Sequence, residues 1–308
     1  MLFTTSVRPI LRASHLAAAG LVLAVAASGA PHAAAQATEH HVYVSVLDQQ
    51  GNPVTEVTPA DLTVTEDGVT REVLRVGPAT TPMEVVLLVD NSAATSADTM
   101  FFRDALEAFV AGLDDRHAIA LVTLGDRPTL ELGATTNTEA IGKAIGRLFP
   151  RPGSGTYLLD AVRDTTKGFT KRKPARPVIV AVLREDVEFS TGDHVSILTD
   201  LHETFAAFHA VVLNTPADPS IGTNEWRERA QLIDRGTIET GGRRVNLISN
   251  LGLKDAMVAL ATELNAQVEA VFARPASLVP PRRTTVSSAR EGWTARGTLA
   301  RPLSGQVQ

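Results

Sequence analysis

The stretch Val85-Val86-Leu87-Leu88-Val89-Asp90-Asn91-Ser92-Ala93-Ala94-Thr95-Ser96 (VVLLVDNSAATS) sets five apolar residues directly before an aspartate and a serine. A short, unbroken apolar run is buried on both faces, as parallel strands covered by helices are. From Met83 onward such runs alternate with helical patterns. Strands are expected at 84–89, 118–124, 128–132, 177–183 and 209–214, and helices near 96–112, 138–148, 156–170, 192–208, 224–234 and 252–265. This alternation predicts an α/β domain over 81–265, doubly wound, with a mostly parallel sheet and helices on both faces.

The segments on either side differ in character. Residues 36–80 alternate apolar and polar at Val42, Val44, Val46 and at Leu62, Val64, with a hairpin signal at Asp67-Gly68, and predict a small β-strand unit ending at the stiff linker Pro78–Pro82. Residues 266–297 read as two further strands that resemble this unit in character, and 298–308 as a flexible tail.

Residues 1–35 carry Arg8 and Arg12, an apolar run from about Leu16 to Ala30 and small residues at Ala33-Ala34-Ala35, which reads as a secretory signal peptide. The run is shorter than the roughly 20 residues of a spanning helix. The expectation is an exported protein, periplasmic or secreted, with no membrane attachment after cleavage. There are no cysteines, so neither disulfides nor thiol chemistry is available. The formal charge is −5, and loss of Arg8 and Arg12 makes it more negative, which argues against nucleic acid or an anionic membrane as partner. The basic run Lys171-Arg172-Lys173 with Arg176 is expected as a solvated helix end.

In an open α/β sheet, ligands bind beyond the carboxyl ends of the strands. Asp90 and Ser92 stand at such an end. The loops holding Thr156 (Gly153 to Val162) and Glu185 with Asp186 (Leu183 to Asp193) are expected to meet them there. Hydroxyls and carboxylates are hard ligands suited to Mg2+, Mn2+ or Ca2+. At these residues the sequence resembles the von Willebrand factor type A fold with its metal-ion-dependent adhesion site. The resemblance assigns Asp90 and Ser92 to the first loop, Thr156 to the second and Glu185, or Asp186 one residue on, to the third. Ala94 stands where the family's second serine belongs. Residues 42–76, Thr240-Gly241-Gly242-Arg243-Arg244-Val245, and 260–275 with 283–297 resemble bacterial secreted "VWFA-related" proteins, which place a small β unit around an A domain, a likeness that covers nearly the whole mature chain. The resemblance implies a protein-binding module whose partner offers an acidic side chain to a bound ion. The alternative is a metal-free interaction domain in which Ser92 and Thr156 cap helices.

Catalytic signatures are missing, so no enzyme is expected and a hydrolase is the weakest alternative. His202 and His209 are seven apart, about 10 Å along a helix, too far to share an ion, and are expected at the surface. G-x-S-x-G is absent around Ser154, and RPGSGT lacks the Lys-Ser/Thr ending of a phosphate loop. Asp114-Asp115 fits a solvated turn better than an acid/base pair.

Overall fold

The computed structural model describes residues 37–214, 223–276 and 281–302. The expected signal peptide and the end of the tail lie outside them. Among the described residues no helix is long and apolar enough to cross a membrane.

The run at Val85 is the centre of a six-stranded sheet. β5 (Glu84–Val89) has β6 (Ala118–Thr123) on one side and β8 (Pro177–Arg184) on the other, both parallel to it. Beyond β8 lie β9 (Ala207–Leu213) and β10 (Arg244–Leu247), also parallel. β7 (Thr129–Thr135) closes the far edge, antiparallel to β6. The order β10-β9-β8-β5-β6-β7 means that the chain starts centrally, builds one edge, and then crosses over to build the other. The switch point is between β5 and β8, where diverging loops leave a crevice.

Alternation along β5 divides two cores. Val85, Leu87 and Val89 face α1 (Thr99–Gly112), α2 (Thr138–Gly146) and α6 (Leu253–Asn265), among Phe102, Leu106, Phe109, Ile141, Met257 and Leu260. Val86 and Leu88 face α3 (Leu158–Arg172), α4 (His194–Thr204) and α5 (Asn224–Glu239), among Leu159, Phe169, Ile197, Leu201 and Leu232. Each fully buried Val or Leu contributes roughly 2 kcal/mol of transfer free energy, which is why this stretch decides the fold. Helix starts are fixed by side chains: Asn137 accepts from the Ala140 N–H, Asp193 from Ser196 and Thr223 from Trp226.

The flanking segments do pair with each other. β1 (Ala37–Leu47) lies between β11 (Val268–Pro275) and β13 (Thr294–Leu299), and β4 (Val73–Pro78) borders β11. A second sheet joins β12 (Thr284–Ser288), β2 (Leu62–Glu66) and β3 (Val69–Arg71). Val42, Val44, Leu62, Val64 and Phe272 form the core between the sheets. The β2–β3 hairpin turns at Asp67 and Gly68 with φ 48° and 83°, as the sequence signal required.

Several expectations need correction. The helix expected over 192–208 stops at Thr204, because Phe205 takes a left-handed conformation, φ 58°, and starts β9 two residues early. His209 therefore lies in a central strand and is fully buried, not at the surface. The segment after β11 holds two strands, not one, separated by a turn with Gly292 at φ 78°. β10 was not foreseen. The expected tail at 298 begins later: β13 runs to Leu299, and Arg301 donates to the Pro174 and Thr204 carbonyls. Arg176 is no solvated helix end, being buried at the joint between the α/β sheet and β1.

Candidate functional site

The crevice at the switch point is filled by three loops. Asp90 follows β5 and is buried. Its Oδ1 accepts the Ser92 N–H at 2.8 Å and its Oδ2 accepts the Arg184 N–H at 3.1 Å, so it ties the end of β5 to the end of β8. Burial pushes its carboxyl pKa up, against the opposing pull of the Ser92 N–H and the Arg229 guanidinium. The Ser92 hydroxyl is fully buried beside this carboxylate, close enough to favour its charge, yet outside hydrogen-bond geometry with any partner.

The second loop closes directly on the first. Ala93 N donates to the Ser154 carbonyl at 3.1 Å, and Arg151 N to the Asn91 carbonyl at 2.8 Å. The Asn91 side chain accepts from Gly125 N at 2.7 Å and donates to the Phe149 carbonyl at 3.1 Å, binding in the loop after β6 as well. Thr156 is fully buried, and its hydroxyl lies 3.2 Å from both the Val187 carbonyl and Glu188 Oε2.

Thr156 thus meets Glu188, a residue that sequence reading passed over in favour of Glu185 and Asp186. Residues 187–189 run alongside Thr156 as a short bridge, with Thr156 N donating to the Val187 carbonyl and Phe189 N to the Thr156 carbonyl. Glu188 is buried. It accepts the N–H of Leu158, the first residue of α3, at 2.9 Å, and that of Ser190 at 3.2 Å. A carboxylate at a helix N-terminus is held by free N–H groups and by the helix dipole. Its pKa is nevertheless pushed up, burial outweighing Arg229 and Ser190. Capping of α3 therefore comes from Glu188 and from Ser190, whose hydroxyl accepts the Asp160 N–H, rather than from Thr156. Ser92 makes no side-chain cap either.

The remaining member is Arg229, which sequence reading also missed. It projects from α5, is buried, and donates through Nη1 to the Asp186 carbonyl at 3.0 Å and through Nη2 to the Arg184 carbonyl at 2.7 Å. Its Nε stands 3.8 Å from Glu188 Oε2. The start of the third loop is fixed at two points: Glu185 N donates to Leu213 O, and the Asp186 carbonyl accepts from Arg229. The Glu185 and Asp186 side chains are partly exposed. Arg184 forms an ion pair with Asp98, whose other oxygen accepts from Asn250 Nδ2 at 2.8 Å, so the start of α6 joins the same assembly.

These residues do not suit a divalent ion. The second serine is Ala94, which has no oxygen to offer, and a buried guanidinium stands 3.8 Å from Glu188, the carboxylate that meets Thr156. Among the described residues no three His, Asp or Glu side chains form a metal-binding group.

Residues 85–184 match the family model for the von Willebrand factor type A domain. No curated protein matches the chain. It is similar to the solved structure of the protein BatB from Bacteroides thetaiotaomicron, at 16% identity over 59% of this chain and 98% of that one, TM-score 0.45. It is also similar to a von Willebrand factor type A protein from Catenulispora acidiphila, at 11% identity over 86% and 72% of the two chains, TM-score 0.48. A third is proximal thread matrix protein 1 from the mussel byssus, in a structure with zinc in its adhesion motif, at 14% identity over 66% and 48%, TM-score 0.46. Asp90, Ser92 and Thr156 lie inside the matched segment, whereas Glu188 and Arg229 lie beyond it. The likeness to the von Willebrand factor type A domain family therefore rests on residues 85–184, the strands and loops that form the rim.

Proposed function

We propose that the chain is an exported protein-binding module that recognises its partner with the apolar crest of the rim above Asp90. Von Willebrand A domains are interaction modules. The observation that carries the reading is a set of large apolar side chains left in water at the carboxyl ends of the parallel strands. Met100 is 62% exposed, Phe149 64%, Phe189 49%, Ile248 94% and Leu251 74%. Each belongs to a loop, or to the first turn after one, that the buried network ties down. Asn91 holds the Phe149 carbonyl, Thr156 holds the Phe189 N–H, and Asp98 holds the turn containing Leu251 through Asn250. Exposed apolar groups on loops held rigid in this way mark an interaction surface.

Contact through this crest is made by shape and apolar burial, and the acidic partner side chain expected from the resemblance is not needed for it. The test is a variant with Phe149→Ser, Phe189→Ser and Ile248→Ser together. It should keep the parent melting temperature, because these side chains are exposed, and lose the partner that the parent retains. Retention of that partner by the triple variant rejects the reading. Export is tested separately, by the amino-terminal sequence of the protein recovered outside the cytoplasm, which should begin near Gln36.

A further inference from the structure

We infer that Arg229 is the resident cation of the rim: its guanidinium gathers the third loop and pairs with the buried Glu188, so the rim assembles without a divalent ion. This is independent of what the crest binds.

Three observations carry it. The guanidinium fork spans the carbonyls of Arg184 and Asp186 and so ties the third loop to α5. It stands 3.8 Å from Glu188, the carboxylate that reaches Thr156, and opposes the burial that raises the pKa of that acid and of Asp90. The buried oxygens are held in place by the protein alone: Thr156 donates to Glu188 and Val187, and Asp90 accepts the amides of Ser92 and Arg184. A divalent ion added here would lie beside a like charge inside the protein, where water screens little. The one feature that favours an ion is the unpartnered Ser92 hydroxyl, and the experiment is aimed at it.

The melting temperature of the full chain is measured in EDTA and in millimolar Mg2+, Mn2+ or Ca2+. The parent should melt at the same temperature in all four. A rise with any ion that disappears in Ser92→Ala overturns the inference, since a ligand that binds only the native state must stabilise it. Arg229→Met keeps the alkyl stem and removes the charge, and should lower the melting temperature by several degrees. Adding Glu188→Gln to it should recover part of the loss, because the uncompensated carboxylate is then gone. Losses that simply add overturn the inference. If Arg229→Met does not fold, Arg229→Lys replaces it: the charge stays, and melting should again be indifferent to the ions.

Discussion

The guanidinium of Arg176 lies 4.6 Å above the ring of Tyr43, joining the α/β sheet to the central strand of the β unit. It donates to the Thr81 carbonyl at 3.1 Å and to Gln267 Oε1, and Gln267 Nε2 in turn donates to the Ser45 hydroxyl at 2.9 Å. Burial, before any neighbouring charge, pulls the Arg176 pKa down to about 10, still well above neutrality, so the side chain is a buried cation. Arg176→Met strands the Gln267 acceptor and the Thr81 carbonyl, and should cost about 3 kcal/mol in urea unfolding. Arg176→Lys should recover only a minor part, because an ammonium cannot both stack on Tyr43 and reach two acceptors.

Gly155 sets the distance between the second and third loops. A Cβ there would lie 2.5 Å from the Phe189 ring and 2.7 Å from the Val187 carbonyl, the second a backbone atom that cannot swing aside. Gly155→Ala should therefore push residues 187–189 off Thr156 and loosen the Glu188 cap on α3. The expected result is a stability loss of about 1–3 kcal/mol together with faster amide exchange at Phe189 and Leu158. Unchanged exchange at both amides would falsify this account of the loop pairing.

How much of this was legible beforehand follows from the kind of signal each part sends. β5 and β8 were plain because a run buried on both faces is a local property of the chain. The break after α4 was hidden, because the left-handed turn falls on Phe205, where no glycine or proline announces it. β10 is four residues with alternate positions exposed, too little pattern to register. At the site, Asp90 and Ser92 follow the end of β5 and Thr156 stands just before α3, so topology alone could place them. Glu188 could not, since its position depends on how residues 187–189 pair with Thr156. Arg229 could not either: a lone arginine in a polar helical stretch reads as solvated, and only the assembled fold turns it inward.

Glu263 plays at the other side of the sheet the part that Glu188 plays at the rim. It is buried and accepts from Arg243 at 3.1 Å and from Arg296 at 2.6 Å, one from the loop before β10 and one from β13. Burial works to raise its pKa, but the charge and hydrogen bond of Arg296 prevail and hold it below the usual value. Glu263→Gln should leave two cations without their charge partner and cost about 3–5 kcal/mol. Arg296→Met alone should cost less, as Arg243 still neutralises the acid. The two measurements, made by urea unfolding at neutral pH, fail the argument if their order is reversed.

The buried histidines set how stability responds to acid. Burial pulls the pKa of His209 down to about 4, and that of His117 to about 4 as well, from an ordinary 6.5. Each ring accepts a backbone N–H on Nδ1, from Arg243 at 3.1 Å and from Met83 at 3.0 Å, which only the neutral ring can do. Between pH 6.5 and 4 the unfolded chain therefore binds more protons than the folded one, and stability falls as pH falls through that window, by up to about 3 kcal/mol for His209 alone. Asp90 and Glu188 work in the opposite sense. Their folded pKa values are raised, so the folded state takes up protons first and acid relieves a cost present at neutral pH. Removing that relief with Glu188→Gln should steepen the loss of stability on going from pH 7 to pH 5, while His209→Gln should flatten it. Urea midpoints at the two pH values read both slopes. Equal slopes for parent and His209→Gln would mean that the ring titrates normally, and so is not sealed in β9.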